Sequence, residues 1–175
     1  MVTTTLGVTA EQVRAVVADV PDPEVPVLTI DDLGVLRDVE VDHAGRVTVT
    51  ITPTYSGCPA MDAITADVRT RLVNAGHPDA EVRLVLSPAW TTDWMSDAGR
   101  RKLLDYGIAP PTGRGPVGRN AGPEAGAPVR LTLSVRCPLC GSPDTRELSR
   151  FGSTACKALW RCDACCEPFD RFKDH

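Results

Sequence analysis

The sequence predicts two small domains with different sources of stability. The first is an α/β (α+β) domain with a short mixed sheet and three helices, because apolar residues recur there at both helical and strand spacing. The second is built around a metal ion, because six of the seven cysteines lie between residues 137 and 166. We expect the first domain at residues 1–108, a Pro/Gly-rich linker at 109–128 and the metal-binding domain at 129–175.

The charge distribution favours protein partners over nucleic acid. Residues 1–127 hold 11 basic and 17 acidic side chains, and residues 128–175 hold 8 and 6, so neither part has a concentrated basic surface. The sequence shows no signal peptide and no apolar run of the roughly 20 residues that a membrane helix needs. We therefore expect a cytoplasmic protein that keeps its thiols reduced and binds neither nucleic acid nor a membrane.

The chain begins with a short helix and a proline-rich loop. Thr9 and Gln12 form a capping-box pattern, and apolar residues then recur at helical spacing up to Pro21. Three prolines between residues 21 and 26 exclude a helix and predict an extended loop that carries two carboxylates, Asp22 and Glu24. Physical chemistry alone leaves two interpretations of this loop, a solvated connector or a presented functional segment.

A hairpin follows and leads into a loop with an isolated cysteine. Apolar and polar residues alternate on both sides of the turn at residues 42–45, which predicts two antiparallel strands with one buried face. Pro59 suits the first position of the next helix and makes Cys58 its N-cap, where the helix dipole lowers the pKa of a thiol. Cys58 is therefore a candidate thiolate, although free cysteine is also commonly a small buried apolar residue.

A third strand, a tryptophan-containing loop and a third helix complete the first domain. Residues 81–86 alternate in polarity, and the order strand, helix, strand implies a right-handed crossover. The apolar side of this strand consists of Val82, Leu84 and Leu86. Trp90 and Trp94 in the next loop either cover the core or form a partner surface. Ser96 then caps a helix that ends at Gly107.

Two Cys-x-x-Cys motifs dominate the C-terminal part, and 21 residues separate them. Their cysteines are Cys137, Cys140, Cys162 and Cys165. Each motif places two thiolates on a tight turn, and four thiolates in this pattern are typical of a zinc ribbon with tetrahedral Zn²⁺. Residues 129–135 predict a strand before the first motif. Since so few residues form little other core, we expect this domain to be unfolded without its metal.

Three further potential ligands exceed what four-coordinate zinc requires. Cys166 directly follows a predicted ligand, so we expect its side chain to point away from the metal. Cys156 is expected in the core, with a spare ligand and a reactive thiol as the alternatives. His175 is the last residue of the chain.

The two parts also resemble known families. The segment Asp22-Pro23-Glu24-Val25-Pro26, followed by Ser56-Gly57-Cys58-Pro59, is similar to the α/β domain shared by SufT and other iron–sulfur assembly factors. With the segments at residues 51–62, 151–159 and 167–170, nearly the whole chain resembles the accessory subunits of the phenylacetyl-CoA epoxidase system. The resemblance excludes only the first few residues and the linker.

This resemblance implies a role in aerobic phenylacetate breakdown, in which a di-iron oxygenase epoxidises phenylacetyl-CoA and a flavin and iron–sulfur reductase supplies electrons. It implies that the subunit assists maturation of an iron–sulfur or iron centre. Cys58 would then handle a transient iron–sulfur cluster, with Asp22 and Glu24 on the same surface. The implied partners are the other subunits of the oxygenase system, iron–sulfur assembly proteins, or a second copy of the chain that supplies another Cys58.

Two other functions stay open on sequence grounds. A thiol-dependent enzyme would use Cys58 as its nucleophile, but none of the three histidines is placed to serve as its base. A nucleic-acid-binding ribbon would stack bases on Trp160, Phe169 or Phe172. We expect a protein that is not catalytic by itself, because the sequence has neither a di-iron helix pair nor a nucleotide-binding loop.

Overall fold

The computed structural model describes residues 8–112 and 135–175. The chain divides into two compact units, Met1–Gly99 and Arg100–His175. Residues 113–128 of the predicted linker and residues 129–134 of the strand predicted before the first Cys-x-x-Cys motif lie outside the described residues. In the two described ranges, no helix is both long enough and apolar enough to cross a membrane.

Three α-helices form in the described residues, as the sequence predicts: α1 (Ala10–Ala18), α2 (Ala60–Asn74) and α3 (Asp97–Asp105). The capping box of α1 is confirmed, because Thr9 Oγ1 accepts from the Gln12 N–H while Gln12 Oε1 accepts from the Thr9 N–H. The cap of α3 is confirmed by Ser96 Oγ, which accepts from the Gly99 N–H at 2.9 Å. These side chains satisfy amide groups that have no partner within the helix.

The first unit contains a mixed three-stranded sheet in the order β1-β2-β3, which confirms the predicted fold class. Its strands are β1 (Leu36–Val41), β2 (Val47–Ile51) and β3 (Glu81–Leu84). β1 and β2 are antiparallel, with Val39 opposite Val49, and they form the predicted hairpin. β3 is parallel to β2, with Leu84 opposite Ile51, because α2 carries the chain back to the same end of the sheet.

The core of the first unit lies between the sheet and the helices. Its fully buried side chains include Val13, Val17, Val49, Ile51, Ile64, Val68 and Leu72. Each such side chain contributes about 1.5–3 kcal/mol when it is fully buried. On the apolar side of β3, Leu84 and Leu86 are 52% and 64% exposed. β3 forms at the predicted place, but the side chains that cover the other strands of the sheet do not cover Leu84 and Leu86.

The burial of Trp90 agrees with one of the two predicted interpretations, in which the tryptophan loop covers the core. Trp90 is buried, and its Nε1–H donates to the Leu33 carbonyl at 2.9 Å. The Arg37 guanidinium stacks over the Trp94 ring at 3.5 Å from the ring centroid. Gly34 makes room for this loop, since a Cβ there would lie 2.6 Å from the Trp94 carbonyl oxygen.

The second unit is organised by an antiparallel sheet in the order β4-β5-β6. The strands are β4 (Thr145–Ser149), β5 (Lys157–Cys162) and β6 (Pro168–Phe172). Ala109 bridges to Arg171 beside β6, since the Ala109 N–H donates to the Asp170 carbonyl and the Phe172 N–H donates to the Ala109 carbonyl, both at 2.9 Å. The first residue of the predicted linker is therefore bonded to the ribbon sheet.

Candidate metal centre and candidate cluster-handling site

The four predicted thiol ligands converge in the second unit. The Cys137 and Cys165 sulfurs are 3.8 Å apart, those of Cys140 and Cys162 are 3.6 Å apart, and all four lie within 4.8 Å of one another. A tetrahedral ion with metal–sulfur bonds of about 2.3 Å has sulfur–sulfur edges of about 3.8 Å. These residues therefore form a four-cysteine metal-binding group of the size that zinc requires.

Two similar turns place these thiols. In each turn the first cysteine begins a main-chain loop, in which the Cys137 N–H donates to the Ser142 carbonyl and the Cys162 N–H donates to the Glu167 carbonyl. The residue after each second cysteine has a left-handed backbone, with φ of 75° at Gly141 and 65° at Cys166. Cys166 therefore occupies the position that glycine holds in the other turn, and its side chain is exposed, as the sequence predicts.

The four thiols influence one another strongly. The Cys165 N–H lowers the pKa of Cys162 to about 7, helped by the Ala164 N–H and the neighbouring sulfurs. The Glu167 N–H lowers the pKa of Cys165, but desolvation and the sulfurs of Cys162, Cys140 and Cys137 outweigh it and raise the value to about 12. A cation at the centre of the group would favour ionisation of all four thiols. A bound Zn²⁺ would supply that positive charge and hold the two turns together.

The remaining C-terminal cysteines do not join this group. Cys156 is buried, as expected for a core residue, and its sulfur lies 3.0 Å from Thr154 Oγ1. Across residues 8–112 and 135–175, the four cysteines are the one cluster of His, Cys, Asp or Glu ligands tight enough for a single ion.

Cys58 lies in the loop between β2 and α2 and is half-buried. Its own N–H donates to the Tyr55 carbonyl at 3.2 Å. α2 is assigned from Ala60, one residue later than predicted, but Pro59 already has the helical backbone angles expected of a first helical residue. The Cys58 sulfur accepts from the Ala60 N–H, and the Thr54 hydroxyl also bonds to it.

The predicted lowering of the Cys58 pKa is wrong. Burial is the largest influence and raises the pKa, and the carboxylates of Glu24 and Asp22 raise it further. The Ala60 N–H and the Thr54 hydroxyl act in the opposite direction but do not compensate. The resemblance places Asp22 and Glu24 on the same surface as Cys58, but the pKa was predicted from the helix dipole alone, without burial, these two carboxylates or Thr54.

Asp22 holds the shape of that acidic loop. Its Oδ1 accepts from the Glu24 N–H at 2.9 Å and from the Val25 N–H at 2.7 Å, and the residue is only 7% exposed. The Asp22 N–H donates to the Leu28 carbonyl, and Pro21 bridges to Thr29, so both ends of the loop are tied together. Glu24 is less buried than Asp22. The fold therefore places both carboxylates close enough to Cys58 to raise its pKa.

The structure gives little support to base stacking on the ribbon. Phe169 and Phe172 are both buried in the second unit, so neither ring is available to an incoming base. Trp160 is partly buried and packs against the cluster formed by Ala109, Val135, Cys137, Cys162 and Phe169.

Comparison with known proteins matches each part of the chain to a different family. Residues 10–84 match the iron–sulfur cluster assembly protein family, and residues 122–173 match the PaaD zinc beta ribbon domain. A protein from Escherichia coli K12, provisionally named as a subunit of 1,2-phenylacetyl-CoA epoxidase, is 46% identical over 162 residues, which cover 93% of this chain and 91% of that protein.

Two further similarities each cover about half of this chain. The Fe-S protein maturation auxiliary factor SufT of Staphylococcus aureus is 42% identical over 76 residues, or 43% of this chain and 85% of that protein. A crystal structure of DUF59, a domain of unknown function from Bacillus anthracis, is 31% identical with a TM-score of 0.50, and the match covers 54% of this chain and 90% of that one. The chain belongs to the PaaD family of phenylacetyl-CoA epoxidase subunits, and it joins a SufT-like iron–sulfur assembly domain to a zinc ribbon.

Proposed function

We propose that this protein is an accessory maturation factor that delivers iron or an iron–sulfur cluster to the phenylacetyl-CoA epoxidase system. Cys58 handles the cargo, and the zinc ribbon docks a partner from the epoxidase system or an iron–sulfur assembly protein. The observation that carries the proposal is the half-buried Cys58 thiol under the influence of Glu24 and Asp22, in a domain of the iron–sulfur assembly family.

The chemistry of Cys58 suits cargo that is held briefly. Iron in iron–sulfur clusters is bound by cysteine thiolates. Burial and two nearby carboxylates raise the pKa of Cys58, so the empty site keeps its proton and a bound iron cation replaces it. The negative charges of Glu24 and Asp22 attract the cation. A thiol that is readily protonated also releases the metal readily to a partner with more acidic thiols.

One cysteine cannot hold a cluster by itself. Clusters normally need about four protein ligands, and residues 1–127 contain Cys58 alone. The other ligands must come from a partner protein or from a second copy of the chain. This requirement is consistent with a transfer role rather than with a resident cofactor.

Replacement of Cys58 tests the proposal. In cells that lack the wild-type protein, we expect Cys58→Ser to reduce the cluster or iron content of the purified epoxidase components and to reduce ring epoxidation at least tenfold. The matched control is Cys166→Ser, which removes another accessible thiol and should leave both measurements unchanged. Full cluster content and activity with Cys58→Ser would contradict the proposal, provided that the variant accumulates at the normal level.

The enzyme alternative is weaker than this proposal. A nucleophilic cysteine needs a lowered pKa or an adjacent base, whereas the surroundings of Cys58 raise its pKa. Turnover of a thioester by the isolated protein, lost in Cys58→Ser, would revive that alternative.

A further inference from the structure

β3 forms an open edge of the sheet in the first unit. One side of β3 pairs with β2, and its other side has no strand partner among the described residues. The Val85 N–H donates to the Ile51 carbonyl at 2.9 Å, so the main-chain groups of residue 85 face β2. Because these groups alternate along a strand, those of Val82 and Leu84 face outward, and an extended chain past Val85 turns those of Leu86 the same way.

The side chains at this edge are apolar on the face that belongs to the core. The register places Val82 beside Val49 and Leu84 beside Ile51. Val49 and Ile51 are completely buried, whereas Leu84 is 52% exposed and Leu86 is 64% exposed. An edge that combines unpaired main-chain groups with large exposed apolar side chains is a template for another strand.

We propose that this edge binds a second copy of the same chain, with the two β3 strands antiparallel about a two-fold axis at Leu84. Each Leu84 then faces the same residue of the second copy, and each Val82 faces Leu86 of the second copy. All of the outward N–H and C=O groups at these positions find partners, because an antiparallel pair exchanges both bonds between facing residues. The exposed apolar side chains also cover one another.

The competing register is less favourable. A two-fold axis at Val82 would place Leu84 opposite Ala80 of the second copy. The Ala80 N–H already donates to the His77 carbonyl at 3.2 Å, so it has no hydrogen to offer the new strand. That register also leaves Leu86 without an apolar partner. The axis at Leu84 avoids both problems.

The paired edge produces a six-stranded sheet, in which the loops that carry the two Cys58 residues begin on opposite sides of the two-fold axis. Ile51 is the last residue of β2 and lies beside Leu84, so the loop that carries Cys58 begins one strand away from the axis. With strands about 4.8 Å apart, the two Ile51 residues lie about 14 Å from each other.

The interface is small compared with the roughly 1,200 Å² of a stable complex, so dimerisation should depend on concentration.

Sedimentation equilibrium of the full, metal-loaded chain over a range of concentrations tests this inference. We expect a reversible dimer that Leu84→Lys weakens at least tenfold, because it places two cations at the axis. Val73→Lys is the matched control, since Val73 is also 52% exposed but belongs to α2 and not to β3, and it should not change the dissociation constant. A wild-type protein that stays monomeric up to its solubility limit would overturn the proposal.

A proline provides a second variant that tests the main-chain pairing directly. Proline is tolerated on an edge strand where the lost N–H faces outward, so Leu84→Pro should keep the circular dichroism spectrum of the wild type while it weakens the dimer. If Leu84→Pro unfolds the protein, Leu84→Lys alone decides the question. A dimer that survives Leu84→Lys uses another surface, and the proposal is then wrong.

Cysteine cross-linking tests the register. Facing residues in a hydrogen-bonded antiparallel pair have Cα atoms about 5.5 Å apart, which a disulfide can span. Under mild oxidation, Leu84→Cys should give more covalent dimer than the wild type, whereas Val82→Cys should not, because its facing residue is Leu86. The opposite pattern would overturn the register at Leu84. The inference depends on the strand edge alone, so it stands or falls independently of the role of Cys58 in cluster transfer.

Discussion

At the scale of single residues, the equivalent positions after the two Cys-x-x-Cys motifs differ in backbone strain. Gly141 adopts its left-handed conformation without steric cost, whereas Cys166 adopts the same conformation with a side chain. This conformation costs a residue with a Cβ about 1–2 kcal/mol. We therefore expect Cys166→Gly to increase the free energy of unfolding of the metal-loaded second unit by about 1 kcal/mol.

Denaturant unfolding with metal in excess measures this effect. Gly141→Ala is the control in the opposite direction, because it introduces the same strain into the first turn, where open space surrounds the new Cβ. A Cys166→Gly protein that is no more stable than the wild type would show that the Cys166 side chain makes a compensating contribution.

The charge of Glu24 provides a second prediction for a single residue. Burial, Glu24 and Asp22 raise the pKa of the Cys58 thiol, so its reactive thiolate forms only at higher pH. Glu24→Gln removes one negative charge and should lower the pKa, which moves the pH profile of Cys58 alkylation to lower pH. Peptide mass spectrometry after iodoacetamide treatment measures this profile and separates Cys58 from Cys166.

Glu40→Gln serves as the control for the alkylation experiment. It removes the same charge from an exposed position on β1, and Glu40 is not among the groups that shift the pKa of Cys58. An unchanged profile with Glu24→Gln would mean that the carboxylate acts too weakly on Cys58 to tune its chemistry.

At the scale of elements, the sequence predicted those that carry their own local signals. The capping residues of α1 and α3 and the alternating hairpin of β1 and β2 are of this kind. β4 was not predicted because most of its residues are exposed, so it shows no apolar alternation and is defined by main-chain pairing with β5. The exposure of Leu84 was also beyond prediction, since it depends on how far the neighbouring layer extends over β3.

At the scale of the whole molecule, the two units depend on different forces, and metal removal should separate them. The first unit buries an apolar core, whereas the buried cluster of the second unit includes two of the four thiol ligands, Cys137 and Cys162. We expect a strong chelator to unfold the second unit and leave the first folded. Two-dimensional NMR should then show collapsed amide shifts for residues 135–175 and unchanged dispersion for residues 8–99.

Restoration of the shifts by added Zn²⁺ is the control for reversibility. Cys140→Ser should reproduce the effect of the chelator without any added reagent, and Cys166→Ser should not. Retention of the dispersed shifts of residues 135–175 after complete loss of metal would refute this dependence on a metal ion.

The two sites also differ in how far the sequence could predict them. The four-cysteine group follows from two short motifs, because each turn fixes the spacing of its own two thiols. The surroundings of Cys58 depend on a loop that begins more than thirty residues earlier and on the tight turn that Asp22 stabilises. The resemblance to assembly factors predicts that Asp22, Glu24 and Cys58 share a surface. The direction in which the Cys58 pKa shifts follows only from the tertiary structure.

The convergence of four thiols from two distant turns has a consequence for the lifetime of the protein in a cell. A newly made chain that has not captured its metal would leave residues 135–175 unfolded, and unfolded segments are preferred substrates of cellular proteases. Degradation would remove such chains together with their folded first unit. The abundance of the protein should therefore follow the metal supply of the cell as well as its own rate of synthesis.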